Sequence, residues 1–558
     1  MLFRYALTAV ALTSLSVAVE AAPDGPVVNT TSGSYIGASD TANAIDTFFG
    51  IRFASRPARF TPATPVANPP SGLQSALAFG SDCPQFPGTS IVAIAGIPAG
   101  PPLRGANQSE DCLFLNVWRP EGTSAGDKLP ILIYIHGGGY FAGSGSEWNG
   151  TSLVQRSVAT GKPIIFVTFN YRLGALGFLG SAQVPPNSLN IGLQDQRAAL
   201  KFIQDNAESF GGDGSRIIIS GESAGAVSVH LHYLYPDSQR TFRGGISSSG
   251  SSLGLITPAC EWYDRPGGTY NQLGNITGCG TSAGSFECLQ NVSFDTFWPL
   301  ALTTYEVPGG GLPQLLPCKG PEGSLIDEYP VERVINGDFL NLPIITGTNR
   351  NEGTFIIGTS FLDLTPQPSL DEENSLIRAY IASQATNNKN VSQATLDKLL
   401  ELYAHPTDNL ALNSSLYNRA AEFATDYNML APERLFLQSA SKAQRGQDVW
   451  AYQFEQHVPD TPDFLGVFHT SDLYYLDMGF APVPSQTLQS RVQDFYISFT
   501  NDLNPGASWP KYSTESGSGV VMRLVDEDGG EPIADTLRLE QTDFLNQVDV
   551  MKEFGRFG

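Results

Sequence analysis

Gly221-Glu222-Ser223-Ala224-Gly225 follows directly on the β-branched run Ile217-Ile218-Ile219. A strand that stops on G-x-S-x-G and restarts as a helix must turn sharply at the serine. The flanking glycines carry no Cβ, so the chain can fold back while Ser223 sits strained at the apex. That turn lifts the Ser223 hydroxyl above the carboxyl edge of a sheet, at a helix N-terminus. A buried structural serine would need none of this. Ala226-Val227-Ser228-Val229 is compatible with the helix that should follow.

Short apolar runs of buried-strand type surround this unit at 113–118, 131–135, 164–168, 244–249, 342–347 and 449–454. Shorter strands are expected at 33–37 and 47–53, and Pro/Gly-rich surface loops over 56–105. Between the apolar runs, 191–210 carries Leu193, Ala198, Leu200, Phe202 and Ile203 at near-helical spacing and closes on Gly211-Gly212. Repeated β–α alternation predicts the α/β class, with a large, mostly parallel sheet, helices on both faces and chemistry at the carboxyl ends of the strands. The stretch 252–340 has little regular pattern and reads as inserted loops and helices. No linker separates two cores, so 22–558 is expected to form one domain.

An exposed serine is a weak nucleophile and needs an adjacent base. In strand–elbow–helix folds the partners follow the serine in the order acid, then His. His136 precedes Ser223, while His230 and His232 lie along its own helix and cannot face the hydroxyl. Of His405, His457 and His469, the last is preferred, because it stands in a loop between apolar flanks at a suitable distance beyond a strand. The acid must leave a strand end. Glu352, in the loop after 342–347, meets that requirement, whereas Asp338 precedes the strand. His136-Gly137-Gly138-Gly139 follows the strand 131–135 and has the composition of a loop that aims backbone N–H groups at an oxyanion. Gly138 and Gly139 are the expected donors, with the Ala224 N–H as third. A phosphate-binding glycine loop does not fit, since no Lys or Ser/Thr stands at the required places.

Charge and termini bound the setting. Lys+Arg 32 against Asp+Glu 55 gives a net charge of −23, which argues against nucleic acid and anionic membrane surfaces as partners. Residues 1–21 read as a signal peptide: Arg4 precedes an apolar segment, and Ala21-Ala22 offers small residues for cleavage. No later segment suits a transmembrane anchor, so a secreted, extracellular product is expected. N-x-S/T sequons stand at Asn29, Asn107, Asn149, Asn275, Asn291, Asn390 and Asn413, in keeping with a glycoprotein. The six cysteines show no zinc spacing, no metal site is expected, and spacing leaves their connectivity open.

Several motifs occur together in one order. They include Phe49-Gly50-Ile51-Arg52-Phe53-Ala54, Ser109-Glu110-Asp111-Cys112-Leu113-Phe114-Leu115-Asn116, Asn170-Tyr171-Arg172, Gly177-Phe178-Leu179, Asn190-Ile191-Gly192-Leu193-Gln194-Asp195-Gln196-Arg197 and Phe210-Gly211-Gly212-Asp213. With the elbow, they make residues 29–512 resemble the type-B carboxylesterase/lipase family, which includes cholinesterases and fungal lipases. The resemblance implies an α/β-hydrolase fold, a Ser223–Glu352–His469 triad and an oxyanion hole of Gly138, Gly139 and Ala224. It implies the disulfides Cys83–Cys112 and Cys279–Cys288, leaving Cys260 and Cys318, outside the common pattern, to pair by elimination. Arg59–Glu110 and Arg172–Asp195 resemble the family's structural ion pairs. Gly50-Ile51-Arg52-Phe53-Ala54 departs from the commoner Pro-Tyr pair. The Cys83–Cys112 loop lacks the tryptophan with which cholinesterases hold a quaternary ammonium, which argues against choline esters.

The resemblance thus points to a serine carboxylesterase or lipase acting on small-molecule or lipid esters without a cofactor. The alternative is a catalytically inactive adhesion member, which would lack the serine. Within the Cys83–Cys112 loop, the apolar run 91–97 could act as a lid for long-chain esters or as a packed wall suited to shorter ones. The wall reading is favoured because the run is short.

Overall fold

The computed structural model describes residues 25–85, 107–254, 257–304, 315–358, 360–362, 368–386, 390–410, 414–442, 446–480, 483–514, 519–526 and 529–557. The expected signal segment 1–21, the run 91–97 and Asn413 lie outside them.

Among the described residues, fourteen strands form two sheets. The first half of the chain supplies β1 (Val27–Thr30), β2 (Gly33–Ile36), β3 (Ala38–Asp40), β4 (Ile45–Arg52), β5 (Leu73–Ser75), β6 (Phe114–Pro120), β7 (Leu129–Ile135), β8 (Ile165–Phe169), β9 (Gly212–Glu222) and β10 (Gly244–Ser248). The second half adds β11 (Ile344–Asn349), β12 (Val449–Phe454), β13 (Val520–Leu524) and β14 (Glu531–Ala534). A small sheet runs β1-β2-β5, and the large one runs β14-β13-β12-β11-β10-β9-β7-β8-β6-β4-β3. From β8 across to β13 every pairing is parallel, and antiparallel strands close both edges.

The continuous apolar runs follow from burial on both faces. Ile131, Ile133 and Ile135 of β7 join Ile217 and Ile219 of β9 in one core. Leu132 and Tyr134 join Ile218 and Phe166 in the other. The helices Ile191–Asn206 and Ala224–Leu234 cover the first face, supplying Leu193, Leu200, Val229 and Leu231. The helices Thr151–Ala159 and Gln486–Asp502 cover the second with Leu153, Val154, Leu488 and Phe495. Parallel neighbours need such crossovers, because a tight hairpin cannot join them. The stretch from β10 to β11 holds the helices Thr269–Ile276, Ser285–Asn291, Phe294–Thr303 and Pro330–Asn336, the insertion expected there.

The cysteines are joined as Cys83–Cys112, Cys260–Cys318 and Cys279–Cys288. Arg172 Nε and Nη2 donate to both carboxylate oxygens of buried Asp195 at 2.7 and 2.6 Å, and Arg59 Nε lies 2.7 Å from Glu110 Oε1. Asn29, Asn107, Asn149, Asn275, Asn291 and Asn390 are all exposed, as a glycan would require. Among the described residues no helix is long and apolar enough to cross a membrane.

Candidate active site

Ser223 caps the helix Ala224–Leu234 with φ 56° and ψ −123°. A non-glycine residue held there costs about 1–3 kcal/mol and persists only where its surroundings enforce it. Two features do so. The Ser223 N–H donates to the Ser248 carbonyl at 3.0 Å, fixing the turn to the end of β10. Gly225 lets the new helix press against β7, since a Cβ there would lie 2.0 Å from the Ile135 carbonyl oxygen. Within the elbow only Ser223 is partly exposed; Glu222 and Ala224 are buried.

Glu352 opens the helix Glu352–Ile357 just beyond β11 and is fully buried. Its Oε1 accepts the Asn349 N–H at 2.6 Å, and its Oε2 lies 2.6 Å from Nδ1 of His469. His469 stands in the loop between β12 and the helix Ser471–Leu476. Asn351 ties that loop to the Glu352 loop: its N–H donates to the Val467 carbonyl at 2.8 Å, and its Oδ1 accepts the Val467 N–H at 2.9 Å. With Nδ1 engaged by Glu352, the other imidazole nitrogen faces the elbow, 3.2 Å from Oε1 of Glu222. The geometry there makes a charge contact without hydrogen-bond alignment. The Ser223 hydroxyl itself forms no hydrogen bond to His469 in this structure. Such contacts are often loose without substrate.

The electrostatics match this burial. Desolvation alone would lower the pKa of His469, but the carboxylates of Glu222 and Glu352 outweigh it and raise it to about 9. Burial pushes Glu222 up to about 8, against the opposing pull of His469. At 3.2 Å the two groups titrate as a pair. His136 is different: burial lowers its pKa to about 4, so it is neutral, and its ring stacks on Tyr171 at 4.3 Å.

The loop after β7 runs beside Ser223. A Cβ on Gly137 would come within 3.0 Å of the Ser223 Cβ. Gly138 (φ 102°) and Gly139 (φ 61°) occupy the left-handed region, and the Gly138 carbonyl accepts N–H groups from Phe141 and Ala142. This turns the loop back on itself. As the first helical residue, Ala224 has an N–H with no acceptor inside its helix. The Cys83 end of its disulfide loop is pinned to the same region, since Gln85 Oε1 accepts the Gly143 N–H at 2.9 Å.

The other histidines lie elsewhere. His230 is buried against Phe436, His232 meets Gln196 at 2.9 Å, His405 is exposed, and His457 is half-buried near Thr461. Asp338 pairs with Arg333 at 2.6 Å, away from the carboxyl edge. Sequence reading passed over Asn349, Tyr452 and Asp472, which line the buried side of the site, and did not foresee that Glu222 would face the imidazole.

A parallel sheet crowned by a strained serine, a buried His–Glu pair and a glycine-rich loop defines an α/β-hydrolase. Residues 24–544 match the model of the carboxylesterase family, and the chain belongs to that family. It is 33% identical over 547 residues to lipase 1 of Geotrichum candidum, covering 89% of this chain and 91% of that protein. It is 32% identical to secreted lipase 1 of Botryotinia fuckeliana (strain B05.10), covering 95% and 94%. The crystal structure of Aspergillus niger EstA superposes with a TM-score of 0.76 at 26% identity, covering 95% of this chain and 99% of that one. The protein is an enzyme, an ester hydrolase.

Proposed function

We propose that the protein is a secreted hydrolase that cleaves carboxylic esters through an acyl-Ser223 intermediate. The observation that carries this reading is a strained, partly exposed Ser223 next in the chain to Glu222, whose Oε1 lies 3.2 Å from a buried His469 that Glu352 holds at 2.6 Å. His469 Nε2 takes the Ser223 proton as Oγ attacks the ester carbonyl. The N–H groups of Gly138, Gly139 and Ala224 stabilise the oxyanion. As the tetrahedral adduct collapses, His469 returns that proton to the leaving alkoxide and an alcohol departs. Water, deprotonated by the same imidazole, attacks the acyl-serine and releases the acid. Glu352 holds the imidazole tautomer and stabilises its positive charge. Retention of all these residues disfavours a binding-only role. Secretion is supported by the N-terminal segment and by the naming of a close relative as a secreted lipase.

Turnover of p-nitrophenyl acetate, butyrate and palmitate, and of a triglyceride emulsion, tests the ester-hydrolase reading. Hydrolysis of at least one, with p-nitrophenyl phosphate untouched, is the expected outcome; no ester turnover by folded protein would contradict it.

The same geometry sets a pH dependence. The base form of His469 is neutral, and raising its pKa moves the acid limb of kcat/KM above the ordinary histidine range. Removing the Glu222 charge should lower that pKa. Glu222→Gln is therefore expected to shift the acid limb down by about one pH unit or more. A pH–rate profile of the two proteins checks this, and an unmoved or rising limb would count against it.

A further inference from the structure

Asp472 lies three residues beyond His469, at the start of the helix Ser471–Leu476, and is buried. Among the described residues its carboxylate takes hydrogen bonds from two neutral side chains and pairs with no cation. Oδ1 accepts from Nδ2 of Asn349 at 3.2 Å, and Oδ2 accepts from the Tyr452 hydroxyl at 2.6 Å. A carboxylate so placed carries a desolvation cost that an apolar side chain would avoid.

Its two partners lead to the reacting groups. Asn349 grips both carboxylates, its side chain on Asp472 and its backbone N–H on Glu352 at 2.6 Å. The Tyr452 hydroxyl also lies 2.8 Å from Ser248 Oγ, and the Ser248 carbonyl holds the Ser223 N–H at 3.0 Å. Ser248 Oγ in turn meets the Tyr496 hydroxyl at 2.9 Å. One buried group therefore connects the ends of β10, β11 and β12 with the loop that carries His469.

We infer that Asp472 is a positioning residue that locks Ser223, Glu352 and His469 into one frame through Asn349, Tyr452 and Ser248. This rests on the triad reading above. Asp472 also acts through its charge. The groups facing His469 are Glu222 from β9, Glu352 and Asp472, with Tyr134, Tyr452 and Tyr496 enclosing the far side. Burial raises the pKa of Asp472 itself, and its ionised form favours the protonated imidazole.

Asp472→Asn keeps the shape but can face Asn349 with its oxygen only by turning its amide on Tyr452, whose hydroxyl must then accept from it and donate to Ser248 Oγ alone, so the network loses its charge and one of its hydrogen-bond directions is reversed. Its kcat is expected to fall roughly ten- to hundred-fold, the scale of a small misplacement of reacting groups, with KM held within about two-fold. Loss of the charge should also move the acid limb of kcat to lower pH. Tyr452→Phe, which deletes only the hydroxyl, should lower kcat about ten-fold with KM unchanged. Wild-type kcat and limb in folded Asp472→Asn would overturn the inference. So would a fall in kcat with the limb unmoved and KM raised, which marks simple packing. If Asp472→Asn does not fold, wild-type kcat in Tyr452→Phe overturns it. Ser223→Ala run in parallel separates the two readings: activity surviving there refutes the triad, whereas inactivity there with full activity in Asp472→Asn refutes only this inference.

Discussion

Replacing Ser223 with alanine is expected to lower kcat on a soluble p-nitrophenyl ester by roughly 10⁴- to 10⁶-fold, with the fold intact. On the proposed mechanism the substitution removes the group that becomes acylated. The N–H groups of Gly138, Gly139 and Ala224 remain, and they can still polarise a carbonyl for slow attack by water. Alanine meets the same backbone strain at φ 56° as serine does, and Ser223 accepts no side-chain bond whose loss would unfold the elbow. Thermal melting should therefore be close to wild type. Steady-state rates and a melting curve on the same preparation check both halves, and substantial turnover by the variant would refute the nucleophile.

His469→Ala should be nearly as damaging, about 10⁴-fold or more in kcat, because serine is then left without a base. Glu352→Gln is expected to cost about 10⁴-fold, since a glutamine cannot balance the imidazolium and favours the wrong tautomer. These losses should not add: Ser223→Ala combined with His469→Ala should be no slower than Ser223→Ala alone. His405→Ala and His457→Ala serve as controls and should stay near wild type, since one residue is exposed and the other's ring lies 3.4 Å from Thr461 Oγ1 rather than at the elbow. The measurement is kcat for each variant under identical conditions. A severe loss at His405 or His457, or a mild one at His469, would reassign the base.

Local pattern carried most of what positions this site. The runs at 131–135, 164–168 and 449–454 correspond to β7, β8 and β12 because strands buried on both faces must be apolar throughout. Glu352 was singled out by its place after a strand and His469 by its loop, and the structure brings these two side chains to 2.6 Å of each other. What stayed hidden depends on partners distant in sequence. Asp472 looks like an ordinary loop carboxylate until Asn349 and Tyr452 are brought to it from neighbouring strands. The helix Ser415–Thr425 and the π-turn Asp426–Leu430 are another case. Arg419, Glu422 and Asp426 suggest a solvated face, yet all three are buried, with Arg538 reaching Asp426 at 2.8 Å from 112 residues away. Strands β13 and β14 were also missed. They are short, and their antiparallel pairing closes a sheet edge that the β–α alternation does not announce.

The most direct test of the account is to trap the intermediate. The enzyme is mixed with p-nitrophenyl acetate, quenched in acid within the first turnover, digested and mapped by mass spectrometry, while p-nitrophenol release is followed in parallel. If acylation precedes hydrolysis at Ser223, an acetyl group appears on the peptide containing Ser223 and is absent in Ser223→Ala. Acetyl transfer to a different residue that matches the rate of turnover would contradict the central claim.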